Sequence, residues 1–357
     1  MRVAVGLSGG VDSSVAAVLL KEAGHDVVGI TMRLWDGRYK GGTRDACFGP
    51  GEEGDIETAA AFAKAIGIEY RVFDCAGAYH EEIIRNFRET YLAGGTPNPC
   101  VRCNAAMKFG LLPDLAVKAG IAFDAFATGH YARIWRGPDG RLAVRRAVDE
   151  ARDQSYFLYR LSQVQLARQI FPLGGMRKDE VRAKARTLGL AAADKPDSQD
   201  FYSGDIGELI GAADREGDIV DRAGKVLGRH NGFWRYTIGQ RKGLGIGGAG
   251  EPYYVVALDA CRNRVVVGRA DEAVSREFRV CDMVFGALDE QAVRDAGTVR
   301  CAVKIRSTGA PKEGAEFVAD GCICNFPAGL SGVAPGQSAV FYGQDGEILF
   351  GGIICAN

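Results

Sequence analysis

The stretch Gly6-Leu7-Ser8-Gly9-Gly10-Val11-Asp12-Ser13 decides the fold. It follows a short apolar run, Val3-Ala4-Val5. It opens a segment with Val15, Val18 and Leu19 at helical spacing, which Gly24 stops. Strand, glycine turn and helix in that order present unpaired backbone N–H groups to an anion. Gly9 and Gly10 let the backbone approach a phosphate with no Cβ between, and Ser8 and Ser13 add hydroxyl donors. Asp12 repels phosphate unless a cation bridges the two, so the stretch predicts Mg²⁺ beside a bound nucleotide. A tight turn capped by serine and aspartate is the plain alternative. The loop has neither the lysine of the Walker pattern nor the dinucleotide fingerprint.

Working outward, strands are predicted at 27–31, 70–73 and 124–128. Helices are predicted at 55–66 with Asp55 as cap and Gly67 as stop, at 80–91, and from Asn104 as cap to 118. Strands separated by helices give a doubly wound parallel sheet, an α/β domain with ligands at the carboxyl ends of its strands. Met32 and Gly129 follow two of those strands and fall at the same edge; Met32 is equally at home in a core. Further on, 161–170 and 178–188 read as helical. Glycines then become dense (Gly239, Gly243, Gly245, Gly247, Gly248) around the basic Gln240-Arg241-Lys242. From about 275 short alternating strands with glycine turns predict a small β-barrel.

The chain has 357 residues, 47% of them hydrophobic, enough for two or three domains with proper cores. Charges nearly cancel, with 44 basic against 45 acidic residues, so any RNA site must be a local patch. No apolar run is long enough for a transmembrane helix, and the chain goes straight into a strand with no signal-peptide pattern. Both point to a cytoplasmic protein. Ten cysteines there are unlikely to be structural disulfides. Cys47 lies in a long, charged, glycine-rich segment, 35–54, of the kind that is functional or mobile. Pro97-Asn98-Pro99 then leads into Cys100-Val101-Arg102-Cys103. That places a C-x-x-C pair before the helix predicted from Asn104, where the helix dipole and Arg102 are expected to lower a thiol pKa.

The glycine stretch resembles the PP-loop of ATP pyrophosphatases, which adenylate a carbonyl oxygen and release pyrophosphate. The whole chain resembles the tRNA-specific 2-thiouridylase family. The resemblance rests on Gly6–Ser13, Thr96-Pro97-Asn98-Pro99, Cys103-Asn104, Lys108-Phe109, 127–131, 153–157, Asp197-Ser198, 237–248 and 335–342. It implies a PP-loop domain at 1–204, a small central tRNA-contacting domain at 205–273 and a C-terminal β-barrel at 274–357. It also implies that ATP and Mg²⁺ adenylate the C2 oxygen of wobble uridine in a tRNA anticodon stem-loop. Sulfur from a donor protein or sulfide then replaces that oxygen.

The resemblance assigns Gly6, Leu7, Ser8, Gly9, Gly10, Val11, Asp12, Ser13, Met32 and Gly129 to ATP. Asn98, Pro99 and Cys100 fall at the target base. His130, Arg152, Asp153, Gln154, Arg306, Ser307 and Gln337 fall at tRNA contacts, and Cys103 matches the nucleophile. Plain alternatives are a hydrogen-bonding histidine at a strand end for His130, a helix-start cap for Gln154, a turn residue for Gln337 and an exposed strand charge for Arg306.

Two departures stand out. Cys100 replaces a usual acidic residue, and Tyr202 occupies the usual place of a second cysteine. Cys100 and Cys103 then form a local sulfur relay that can close to a disulfide, or they ligate a [4Fe–4S] cluster with Cys47. Competing readings are a PP-loop enzyme of small molecules and a tRNA-binding homologue that no longer thiolates.

Overall fold

The first strand, β1 (Arg2–Gly6), lies at the centre of a five-stranded parallel sheet. Its neighbours are β2 (Asp26–Arg33) and β4 (Ala125–Thr128), with β3 (Glu69–Asp74) outside β2 and β7 (Gln169–Ile170) outside β4. Every pairing is parallel. The chain moves from β1 to β2 and β3 on one side, then returns to β4 on the other. Strand order therefore reverses at β1, where α/β sheets open a ligand crevice at the carboxyl ends. The computed structural model describes residues 1–42, 46–190, 201–246 and 251–356.

Helix α1 (Val11–Glu22) follows the glycine stretch as predicted, and α2 (Glu52–Ile66) covers the sheet. Val3, Val5, Leu7, Leu20, Val27, Ala59 and Ala63 share one buried cluster. Asp55 is not the cap of α2. The helix begins three residues earlier at Glu52, whose carboxylate accepts the N–H groups of Leu34 and Trp35 at 2.8–2.9 Å.

Two corrections concern helices. Asn104 does not start one: the helix begins at Pro99 and passes through a π-helical segment, Cys103–Leu111, into Leu112–Lys118. Asn104 is buried inside it and donates to the Phe157 carbonyl at 3.3 Å. The segment 161–170 is helical only over Gln163–Leu166; Gln169 and Ile170 form the edge strand β7. A hairpin, β5 (Ala132–Arg136) with β6 (Leu142–Arg146), and the helix Lys178–Thr187 complete this part.

By packing, the chain divides into two units. The first is Met1–Ile83, Pro99–Gly204 and Asp345–Leu349; the second is Ile84–Asn98, Asp205–Gln344 and Phe350–Asn357. The second carries a four-stranded sheet, β8 (Gly217–Val220), β9 (Val226–His230), β10 (Tyr254–Asp259) and β11 (Arg264–Gly268). The predicted barrel is present and closed, in the order β12-β15-β14-β13-β16-β17. Its strands are β12 (Val274–Phe285), β13 (Thr298–Lys304), β14 (Lys312–Val318), β15 (Ile323–Ser331), β16 (Ser338–Tyr342) and β17 (Ile348–Ile354). Closure removes the free sheet edges that short strands would otherwise expose. Phe317, Phe341 and Phe350 fill its interior.

Candidate active site

The loop after β1 is shaped by contacts that glycine alone allows. Gly9 has φ of 70°, and a Cβ there would lie 2.4 Å from the Asp55 carbonyl oxygen. A Cβ on Gly129, just past β4, would lie 2.6 Å from the Ser13 nitrogen. The end of β4 thus sits directly against the first turn of α1. Ser13 Oγ accepts the Ser8 N–H at 3.2 Å and donates to the Gly10 carbonyl at 3.2 Å, which closes the loop on itself. Gly10 caps α1 with no side-chain hydrogen bond, so the helix N-terminus keeps its donors for an anion. Leu7 and Val11 are core residues, and only their backbone can meet a ligand. Met32 is half-buried at the end of β2.

Asp12 is not a bare carboxylate. Lys178 Nζ donates to both its oxygens at 2.8 and 2.9 Å, and the Tyr131 hydroxyl donates at 2.9 Å. Lys178 is buried at the start of its helix, with its backbone N–H bonded to Asp149. The sequence reading missed this lysine, which stands 166 residues from Asp12. A helix start rich in charge carries no sign of which way one lysine points.

The two cysteines of the C-x-x-C pair occupy different settings. Cys100 sits in the first turn of the helix from Pro99, whereas Cys103 begins the π-helical segment. The expected low thiol pKa at Cys103 is wrong. Burial pushes it up to about 12; Lys108 opposes this, and Cys47 and Cys75 reinforce it. Arg102 does not help, because its guanidinium turns out to Glu82, at 2.8 Å from the carbonyl and 3.1 Å from the carboxylate.

Gln165 secures the widened turn by donating to the carbonyls of Ala105 and Phe109 at 2.9 and 3.1 Å. Tyr79, buried, has its hydroxyl pKa raised by burial first and then by the charges of Cys103, Cys47 and Cys100. All ten cysteines are free, so the Cys100–Cys103 disulfide is not formed. Among the described residues no three His, Cys, Asp or Glu side chains are grouped to hold a metal, so Cys47, Cys100 and Cys103 do not form the expected ligand set here. Cys47 Sγ instead lies 3.8 Å from the Phe201 carbonyl oxygen, and the Phe48 N–H donates to that oxygen at 3.0 Å. Tyr202 is buried against Phe48 and Phe201, with ring centroids 6.2 Å from each. Asp197 and Ser198 lie outside the described residues, as do Gly247 and Gly248.

Several of the residues assigned to tRNA are anchored by hydrogen bonds within the protein. Asp153 is buried and accepts from Ala147 N–H, Ser155 N–H and Ser155 Oγ at 2.8–3.2 Å. Gln154 exchanges two 2.9 Å hydrogen bonds with the backbone of Tyr131, and it caps no helix by its side chain. His130 bonds Thr128 Oγ1 at 2.7 Å and packs on Phe109 and Phe171. Burial, with Lys108 second, holds its pKa well below the usual imidazole range.

In the second unit, Gln337 donates to the carbonyls of Thr96 and Pro97 at 3.1 and 3.0 Å, fixing the approach to Asn98. Arg306 donates to the Ile238 carbonyl at 2.7 Å and to that of Gly332 at 3.4 Å, tying two loops together. Arg152 is exposed, and Asn98, Pro99, Cys100 and Ser307 are half-buried. Arg241 and Lys242 are exposed in their glycine-rich turn.

A parallel sheet with a glycine loop at its reversal point, no Walker lysine and a cysteine-bearing helix in the same unit defines a PP-loop nucleotide-binding domain. Residues 1–202 match the tRNA methyl transferase HUP domain model. Residues 207–269 match its PRC-barrel domain, and 275–354 match the aminomethyltransferase beta-barrel domain. The chain belongs to the tRNA-specific 2-thiouridylase family. It is 43% identical to the protein of that name from Endomicrobium trichonymphae, over 99% of each chain. It is 45% identical to the Rhodospirillum rubrum protein, over 100% of this chain and 96% of the other. Against the Azorhizobium caulinodans protein it is 46% identical, over 96% and 88%. No described helix is long and apolar enough to cross a membrane.

Proposed function

We propose that this protein is an ATP-dependent tRNA-uridine 2-sulfurtransferase of the cytoplasm, acting on the wobble uridine of an anticodon stem-loop. The observation that carries the reading is identity above 40% to named 2-thiouridylases along the whole chain. The loop at the sheet reversal and the thiols of the first unit supply parts that the reaction needs. A uridine carbonyl is a poor electrophile with a poor leaving group, and adenylation makes AMP that leaving group. The α1 N-terminus and the Gly9–Gly10 backbone suit the phosphates, and hydrosulfide released from a persulfide at the Cys100–Cys103 pair would attack C2 and expel AMP.

The oxygen donors of Asp12, Ser8 and Ser13 fit Mg²⁺, which would shield phosphate charge and stabilise departing pyrophosphate. Asp12 becomes available when Lys178 turns to the phosphates, so the ion pair holds both charges ready for the nucleotide. Reaching C2 requires the base to leave its stack, at a cost of a few kcal/mol. Exposed cationic side chains such as Arg152, Arg241 and Lys242 would supply salt-sensitive phosphate contacts. We assign 1–204 to catalysis, 205–273 to tRNA contact and 274–357 to the barrel.

Cys100 and Cys103 form the sulfur relay: one thiolate takes the outer sulfur of a donor protein's persulfide and expels the donor thiolate. The other then attacks the inner sulfur, releasing hydrosulfide to C2 and closing a disulfide that a cellular dithiol reduces. Incubation with tRNA, ATP, Mg²⁺ and a persulfide donor should yield AMP, pyrophosphate and a tRNA retarded in a mercury-containing gel. Metal-free protein that makes no thiolated tRNA, yet does so after anaerobic iron and sulfide reconstitution, would reject the relay. Pyrophosphate release that ignores tRNA would reject the function.

A further inference from the structure

We propose that Lys108 is the counter-cation of the sulfur centre, its ammonium holding the negative charge that develops on the Cys103 sulfur. This rests on the assignment of Cys103 as nucleophile. Cys103 and Lys108 stand five residues apart in a π-helical segment, where the backbone bonds link residues i and i+5. The spacing is maintained to the end of the segment, where the Leu112 N–H reaches back to the Met107 carbonyl. Gln165 anchors the turn between them through Ala105 and Phe109. In an ordinary α-helix residues i and i+5 diverge around the axis, and the π-turn brings them back toward one face.

Lys108 is half-buried, and its side chain makes no ion pair or hydrogen bond among the described residues. Its electrostatic neighbours are two thiols, Cys103 and Cys47, and the His130 imidazole. His130 is held neutral, so it does not compete as a cation. Arg102, the nearest other cation in sequence, is spent on Glu82. A half-buried ammonium without a carboxylate is costly unless an anion joins it. Among the described residues the anion that can join it is a sulfur anion.

The test compares alkylation of Cys103 by iodoacetate, an anion, with alkylation by neutral iodoacetamide, in the full-length protein. Peptide mass spectrometry follows Cys103, with the exposed Cys261 as internal reference. A cation beside Cys103 should raise its iodoacetate-to-iodoacetamide rate ratio about three- to tenfold over that of Cys261. Lys108→Met should remove the excess, and Lys108→Arg should keep most of it. In thiolation, Lys108→Met should lower kcat with little change in KM for tRNA. Equal ratios at Cys103 and Cys261 in the parent protein would overturn the proposal. So would an unchanged ratio in Lys108→Met combined with a raised KM, which would make Lys108 a tRNA phosphate contact. Circular dichroism and thermal unfolding of Lys108→Arg guard against a folding artefact. The alkylation ratio needs no tRNA, so a protein that never thiolates would refute the function while leaving the ratio to judge Lys108.

Discussion

Asp12→Ala should destabilise the first unit as well as silence its chemistry. The substitution removes the carboxylate that Lys178, a residue 6% exposed, donates to through two hydrogen bonds, and leaves its buried ammonium without that countercharge. Breaking a buried ion pair from one side costs about 3–5 kcal/mol. The Asp12 side chain is 26% exposed, so water can soften the loss, and about 2–3 kcal/mol is the expected cost. Removing both charges in Asp12→Ala/Lys178→Met should restore all but about 1 kcal/mol, since no orphaned ion remains. Urea unfolding at pH 7 measures this, with fluorescence of Trp35 and Trp135 reporting the first unit. Neither variant should release pyrophosphate in the presence of tRNA. A wild-type midpoint for Asp12→Ala, or a double variant as unstable as the sum of the singles, would refute the reasoning.

Alkylation of Cys103 by iodoacetamide should be slow at pH 7 and rise steadily to pH 10, because burial pushes its thiol up to about 12. A rate already level at pH 7 would restore the low pKa that the C-x-x-C spacing suggests. His130 and His230 both have pKa values held below 6.5 by burial, so the unfolded chain binds more protons in mild acid. Each unit should therefore lose stability as pH falls from about 6.5 to 5, with a limiting slope of about 1.4 kcal/mol per pH unit per histidine. His230→Gln should flatten the slope of the second unit, and an unaltered slope would show that other groups carry it. Arg306→Ala should lower the melting temperature of the second unit by loosening the Ile238 and Gly332 loops. Arg306→Lys should keep the salt dependence of tRNA binding while losing the same hydrogen bonds. Full stability of Arg306→Ala with a shallower salt slope would make it a phosphate contact alone.

The reading from residues went wrong where side chains of distant segments compete for the backbone. Asn104 has the chemistry of a helix cap, yet the carbonyl of Phe157 offers it a partner and the helix runs through. The run 161–170 has a helical pattern, but the edge of β4 gives Gln169 and Ile170 a ladder to join. Helix-period spacing cannot report an empty sheet edge. The family resemblance located Gln154, Asp153, Gln337 and Arg306 in the chain. It could not report that each is already engaged with backbone or neighbouring groups of its own unit.

The sequence by itself determined the order of strands and helices around Gly6–Ser13, the barrel at the end of the chain, and the positions of Cys100 and Cys103. Those follow from local rules: glycine turns, apolar periodicity and spacing act within a few residues. The tertiary structure alone decided what charge each site residue carries and faces. Lys178 reaches Asp12 across 166 residues, and burial reverses the expected shift at Cys103. The π-helical segment links residues i and i+5 and so sets Lys108 one turn from Cys103. The physical reason is that ionisation and pairing depend on solvent exclusion and on neighbours in space, and no local pattern of residues fixes either.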